Sequence, residues 1–199
     1  MQAQFFIDGI ADPPVGYSVS FNSGNSDYRL AGRNPAGDIN SMNFLNGRMD
    51  ETRIWDTVLT QTEIRNWMCK KVSSAHPAFR NLVGYYRFDE GSDTIAYSTG
   101  GHPGVLKNSP TWVTSGASLG DTSIYDYSAT PTATLTHPDG ESLSATTTAG
   151  SPSGIQVYRV DSAPNDTTGG RGKGDNDRYF GVFVVGGSSP QYTAGYYAP

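Results

Sequence analysis

The sequence predicts an all-β protein with one short helix, arranged as two successive sandwich-like parts. Three observations predict it. Gly, Ser, Thr, Tyr, Asn and Asp dominate the composition while charged residues make up only 17%, which suits short strands joined by polar turns and disfavours long helices. Short runs alternate apolar and polar residues with the period of a strand. Gly-, Pro- and Asn-bearing turn signals recur between those runs. At 199 residues the chain has room for one large or two small domains.

The elements follow in order. Residues 4–10 read as a strand that closes on Asp8-Gly9, a pair suited to a tight hairpin turn. Ala11-Asp12-Pro13-Pro14 is a breaker. Residues 17–21 alternate with Tyr17, Val19 and Phe21 on one face. A turn over 22–25 leads to a short strand over 28–31, and 33–43 is a polar loop. From Met49 to Trp55 the period is two again, with Asp50, Thr52 and Ile54 opposite Met49, Glu51, Arg53 and Trp55. Thr60 stands three residues before Glu63, so a capping box can start a helix. Ile64, Trp67 and Met68 then fall on one apolar stripe, and this stretch is expected to run to about Val72. Cys69, the single cysteine, lies in it beside Met68 and reads as a buried apolar filler. Residues 73–77 form a linker, and 82–91 begin a second extended phrase. A break falls at 115–121. Beyond it 133–136, 142–147, 155–160, 179–185 and 192–197 read as strands, separated by turns at 137–140 and 149–154 and by a long polar loop over 164–177. The expected domains are therefore 1–115 and 121–199, the second a small β-sandwich.

Bulk properties exclude some partners. A net charge of −5 leaves no basic surplus to neutralise phosphates, so nucleic acid is not expected. No apolar run reaches membrane-spanning length, so no membrane insertion is expected. No signal-peptide pattern stands at the start of the chain.

The run Phe44-Leu-Asn-Gly-Arg-Met-Asp-Glu-Thr-Arg-Ile-Trp-Asp-Thr-Val-Leu-Thr-Gln-Thr-Glu-Ile64 resembles the last strand and following helix of the laminin-G-like or pentraxin-like jelly roll, within the concanavalin A-like lectin and glucanase superfamily. Leu82-Val-Gly-Tyr-Tyr-Arg-Phe-Asp-Glu-Gly91 and Gly100-Gly-His-Pro-Gly-Val-Leu-Lys-Asn-Ser-Pro-Thr-Trp112 resemble a second phrase of laminin-G-like proteins of bacterial surfaces. They depart from it at Asp93, where a glycine is usual, and at Ala96, where an acid is usual. Residues 155–165 and 178–184 resemble sandwich regions of secreted, multidomain surface proteins of Bacteroidetes-type bacteria. The resemblance implies that 1–115 is the C-terminal part of a partial jelly roll plus an accessory strand segment. In the family, Phe6-Ile7-Asp8-Gly9 marks a mid-fold strand, so several strands and further domains of a larger parent protein are expected upstream. It implies a non-catalytic, extracellular or cell-surface binding or adhesion region of a bacterial protein, with glycan or protein ligands. The alternatives are an accessory module of a secreted polysaccharide-degrading enzyme whose catalytic domain lies elsewhere, and a structural spacer.

A structural calcium is implied in the same way. The family aspartate corresponding to Asp50 often lies beside one, and Asp89 or Glu90 of the second phrase could share it, since hard cations want several oxygens. Without an ion, Asp50 would cap backbone amides, and Glu51 would pair with Arg53 or Arg48 on the surface. Asp27 and Asp38 occupy the loops where pentraxin-like proteins hold calcium, but the surrounding residues lack the acidic cluster.

Catalysis is not expected. Glucanases of the superfamily carry paired carboxylates on one strand, and a retaining pair sits roughly 5–5.5 Å apart. Here Asp50 and Asp56 share a face, but at about 3.3 Å per residue their Cα atoms are about 20 Å apart, and Glu51 faces the other way. His76, His102 and His137 each precede a proline in turn contexts without metal or triad spacing. Trp55, Trp67 and Trp112 read as core, whereas Tyr17, Tyr28 and Tyr97 are candidates to stack on a sugar. The run from Gly169 to Gly174 lacks phosphate-loop spacing and reads as a solvated loop.

Overall fold

The computed structural model describes residues 2–16, 29–33, 43–164 and 177–199. In chain order the elements are β1 (Gln2–Ala3), β2 (Phe6–Ile7), β3 (Ile10–Ala11), β4 (Val15–Gly16), β5 (Gly32–Arg33), β6 (Asn43–Phe44) and β7 (Thr52–Trp55). The one α-helix among the described residues, α1 (Gln61–Trp67), comes next, followed by a 3-10 turn at Phe79–Asn81. The remaining strands are β8 (Leu82–Tyr86), β9 (Ile95–Ala96), β10 (Gly104–Val105), β11 (Thr122–Asp126), β12 (Thr132–Thr136), β13 (Ser142–Ala149), β14 (Gly154–Val160), β15 (Tyr179–Val185) and β16 (Gln191–Tyr197). The protein is all-β, with every strand pair antiparallel. Among the described residues no helix is long and apolar enough to cross a membrane.

Contacts group the chain into two units. One comprises Met1–Ala3, Pro14–Asp56 and Asn81–Ser115; the other comprises Gln4–Pro13, Thr57–Arg80 and Gly116–Pro199. In the first, the described strands form two-stranded pairs: β1-β4, β5-β6, β7-β8 and β9-β10. Residues 17–28 and 34–42, which include the expected strand over 17–21, lie outside the described residues. Of the strand expected over 28–31, residue 28 lies outside the described residues and residues 29–31 are not in a strand. Ala31 has φ 60°, which removes it from extended geometry, and the pairing falls on Gly32 with Phe44 and Arg33 with Asn43 instead.

The second unit holds two three-stranded sheets, β11-β14-β15 and β12-β13-β16. Strand β12 shows why they face each other. Ala133 and Leu135 are buried while Thr132, Thr134 and Thr136 are exposed, the alternation of a strand with one wet face. On that wet face Thr132 Oγ1 donates to Thr146 Oγ1 at 3.1 Å and Thr134 Oγ1 to Ser144 Oγ at 2.9 Å, pairing hydroxyls across the ladder. Ala133, Leu135, Ala145, Ile155 and Val157 form the core, and Leu143, Phe180, Val182 and Val184 pack against it.

Strand β14 is covered on both faces. Ile155 and Val157 point into the core, and Gln156, on the opposite face, is 0% exposed. Gln156 Nε2 donates to the Arg65 carbonyl and to the Tyr127 hydroxyl, both at 3.3 Å. The cover is therefore α1, whose start is the capping box that the Thr60–Glu63 spacing predicts: Glu63 N donates to Thr60 Oγ1 at 3.2 Å and Thr60 N to Glu63 Oε2 at 2.7 Å. The bonds from Thr60 hold the Glu63 carboxyl below the usual carboxylate range. The β2-β3 hairpin turns at Asp8 and Gly9, with φ 51° and 76°, as the Asp-Gly pair predicts. It is pinned to α1, because Gly9 O accepts from Gln61 Nε2 at 2.9 Å and from Arg65 Nε at 2.8 Å, and Asp8 O accepts from the Tyr127 hydroxyl at 2.7 Å.

Three sequence expectations change here. The helix stops at Trp67 with Met68 as its cap rather than running to Val72. Residues 69–71 instead leave the helix and bridge to Gly120: Gly120 N donates to Cys69 O at 3.0 Å and Lys71 N to Gly120 O at 2.9 Å. Cys69 is buried, as expected of an apolar filler, but beyond the helix rather than in it. His76 keeps the turn context expected of it but is buried there. It is 2% exposed, its ring centroid lies 4.8 Å from that of Trp67, and its Nδ1 accepts from the Ala78 amide at 3.0 Å. Strand β11 is an element the sequence reading left without a strand. Four of its five residues are half-buried, Ile124 is exposed, and none is fully buried, so no one-sided apolar alternation marks it; yet all five pair with β14.

At the turn between β12 and β13, Arg178 contacts His137 and Asp139, lies 2.6 Å from Asp177 Oδ2 and 3.5 Å from Glu141 Oε2. Loss of water opposes the charge on Asp139. Bonds from His137, the Glu141 amide and Arg178 outweigh that cost and hold its carboxyl at about 2.

Candidate ligand-binding site

The site grows from the β7-β8 pair of the first unit. Its register sets Arg53 opposite Tyr85 and Thr52 opposite Tyr86. The Arg53 guanidinium accordingly lies 5.6 Å from the Tyr85 ring centroid, a cation–π distance. Glu51 ties the pair together at its end. Its carboxylate lies 3.3 Å from Arg53 Nη2 and 3.8 Å from Arg87 Nε, and it accepts from the Tyr85 hydroxyl. The pairing of Glu51 with Arg53 follows the sequence expectation, but the two side chains are only 11% and 14% exposed rather than on the open surface.

Strand β8 ends at Tyr86, and Phe88 takes φ 55°, which breaks the extended run. The chain beyond returns alongside: Tyr85 N donates to Ser98 Oγ at 3.1 Å, Thr99 N to Tyr85 O at 3.2 Å, and Tyr86 bridges to Ser98. Glu90 locks this return, because its Oε1 accepts from the Tyr97 amide at 2.7 Å. Between the two passes lies an open cleft of about 290 Å³ lined by Tyr85, Arg87, Asp89, Glu90, Tyr97 and Thr99. Tyr97 presents its ring to solvent at 60% exposure. Its hydroxyl is 3.5 Å from Asp93 Oδ2, and Asp93 in turn accepts from the Thr94 amide at 2.6 Å. Glu90 Oε2 is shielded from water and has no hydrogen-bond partner among the described residues.

The expected metal ligands are divided. Asp89 and Glu90 share the cleft, whereas Asp50 is not in its lining and accepts from the Ser115 hydroxyl. Asp89 pairs with Arg87. Calcium takes six to eight oxygens, and among the described residues no three His, Cys, Asp or Glu side chains gather where they could hold a metal. Two carboxylates, one already paired with a guanidinium, do not by themselves fit a calcium. Asp56 Oδ1 accepts from Asn81 Nδ2 at 2.8 Å. Asp27, Asp38, Tyr17, Tyr28 and the run from Gly169 to Gly174 lie outside the described residues. Of the expected core tryptophans, Trp67 is buried, and Trp112 is partly buried with its Nε1 donating to Asp93 O at 2.9 Å.

Tyr85, Arg87 and Thr99 join the cleft without having been singled out in the sequence. The signal was present, since Tyr85 and Arg87 alternate on one face of the 82–91 run. What could not be read was the return of 97–99 beside them.

The fold and the cleft thus define an all-β, sandwich-like protein with an open aromatic and acidic cleft. Comparison of the chain with family models, with curated proteins and with solved structures found no match.

Proposed function

We propose that this chain is a non-catalytic binding region of a secreted or cell-surface bacterial protein, and that the cleft at Tyr97 takes a glycan. The observation that supports this reading is the exposed Tyr97 ring beside Glu90, Asp89, Arg87 and Thr99. Sugar sites need an apolar face for the pyranose ring and polar groups that fix its hydroxyls, and these side chains supply both. The extracellular and bacterial setting, the partial jelly roll and the larger parent protein rest on the sequence resemblance alone. An accessory module of a polysaccharide-degrading enzyme would use the same cleft, and protein ligands remain the alternative.

A glycan array probed with the chain, with and without calcium, tests this reading. The expected result is binding to a defined set of glycans that weakens by about two- to tenfold or more in Tyr97→Ala, since aromatic contacts contribute roughly 0.5–1.5 kcal/mol beyond the area they bury. Binding unchanged by Tyr97→Ala would place the ligand elsewhere. Release of reducing sugar by the chain would overturn the non-catalytic part.

The calcium expected at Asp50 from the sequence resemblance is tested separately. Asp50→Ala removes the acceptor of the Ser115 hydroxyl and should cost about 0.5–1.5 kcal/mol of stability. If an ion also sits on Asp50, chelation lowers the wild-type melting temperature and leaves the variant unchanged, because a ligand stabilises only the state it binds. If chelation moves neither protein, Asp50 acts through Ser115 alone.

A further inference from the structure

The electrostatics of the cleft narrow the class of glycan. Two carboxylates line it and two more touch its lining residues. Glu51 stands behind Tyr85, Asp89 and Glu90 line the cleft, and Asp93 lies at the Tyr97 hydroxyl. Two guanidinium groups oppose them among the described contacts, and both are committed. Arg53 faces Glu51 and the Tyr85 ring, and Arg87 divides between Glu51 and Asp89. Neither is paired with Glu90 or Asp93 in these contacts.

Glu90 matters most. One of its oxygens accepts from the Tyr97 amide, and the other is shielded and has no partner among the described residues. The carboxylate as a whole is half-buried at the wall of an open cleft, so an opposite charge in the cleft is attracted to it at short range through solvent that salt can screen. The Tyr97 ring is an exposed π face held next to that carboxylate by its own backbone amide, and such a face attracts a cation. A neutral sugar would use the ring and leave the charge uncompensated. An anionic sugar would meet the carboxylates unfavourably.

Resting on the proposal that the cleft takes a glycan, we infer that its ligand is a cationic one: a sugar bearing a free, protonated amine, seated with the ammonium near Glu90 and its ring against Tyr97. Asp89, at 62% side-chain exposure, and Thr99 then stand at the mouth for the hydroxyls.

The test is titration calorimetry of the whole chain at mildly acidic pH, where the sugar amine is protonated. The probes are a β-1,4-linked glucosamine oligomer, its fully N-acetylated counterpart and pentalysine. The expected result is binding of the glucosamine oligomer at least about tenfold tighter than that of the acetylated one, and weakening with added salt. Glu90→Gln should abolish that preference. It keeps an oxygen for the Tyr97 amide and removes only the charge, and an unchanged melting temperature would verify the fold. Equal binding of the two oligomers would overturn the cationic inference and leave the glycan cleft standing. Binding of neither, together with a blank glycan array, would overturn both. Pentalysine bound as tightly as the glucosamine oligomer, or a preference that survives Glu90→Gln, would also overturn the inference, since the first would reduce it to charge alone and the second would move the recognition off this carboxylate.

Discussion

Ile155→Ala is expected to lower the unfolding free energy of the second unit by about 2–5 kcal/mol, the range for truncating a buried aliphatic side chain to alanine. Ile155 is 0% exposed and stands in the core formed with Ala133, Leu135, Ala145 and Val157. Its strand is hydrogen-bonded on both sides, to β11 and to β15, and covered on both faces, so the backbone has little freedom to collapse into the space left. Urea unfolding followed by tryptophan fluorescence would measure it, because Trp67 belongs to the same unit. Ile124→Ala on β11 is the control. Ile124 is 42% exposed, and its truncation should cost well under half as much. A loss below about 1 kcal/mol at Ile155 would mean that the two sheets do not share one close-packed core.

Gly120→Ala should be nearly as damaging for a different reason. A methyl group there would fall 2.9 Å from the Arg159 carbonyl carbon and 3.0 Å from the Arg159 amide nitrogen. These are backbone atoms in β14, so no side chain can swing aside. The Gly120 amide and carbonyl are also bonded to Cys69 and Lys71, and Asp121 N donates to Arg159 O at 2.7 Å, so the segment is held from two sides. Overpacking of this kind costs about 1–3 kcal/mol. Gly116→Ala, where an added methyl meets nothing within 4 Å, should be close to neutral. Equal melting temperatures for the two variants would show that the 69–71 bridge does not constrain the strand beside it.

Local chemistry accounts for the elements that were legible. The Thr60–Glu63 spacing names the start of α1, and Asp8-Gly9 names a hairpin turn, because each depends on residues within a few positions of one another. Strands β12 to β16 show in the sequence because β-branched and aromatic residues alternate or cluster between strong turn signals. Tyr97, named from the chain as a residue that could stack on a sugar, lines the cleft; Asp89 and Glu90, which also line it, were named only as metal ligands through the family resemblance.

The sequence by itself determined the all-β class and the capped helix α1. Each of these rests on short-range pattern or composition. The tertiary structure decided which surfaces meet. Strand β11 and the outer face of β14 carry no one-sided alternation, because Gln156 is covered by α1 and Tyr127 from far along the chain. His76 is buried by Trp67, and 69–71 leave the helix to pair with Gly120. Arg87 and Thr99 become neighbours of Glu90 and Tyr97 only because the chain turns at Phe88 and returns along β8. A side chain's local pattern records one face of its own element. What covers the other face, and which carboxylates end up sharing a cleft, is set by contacts between segments that no local pattern encodes.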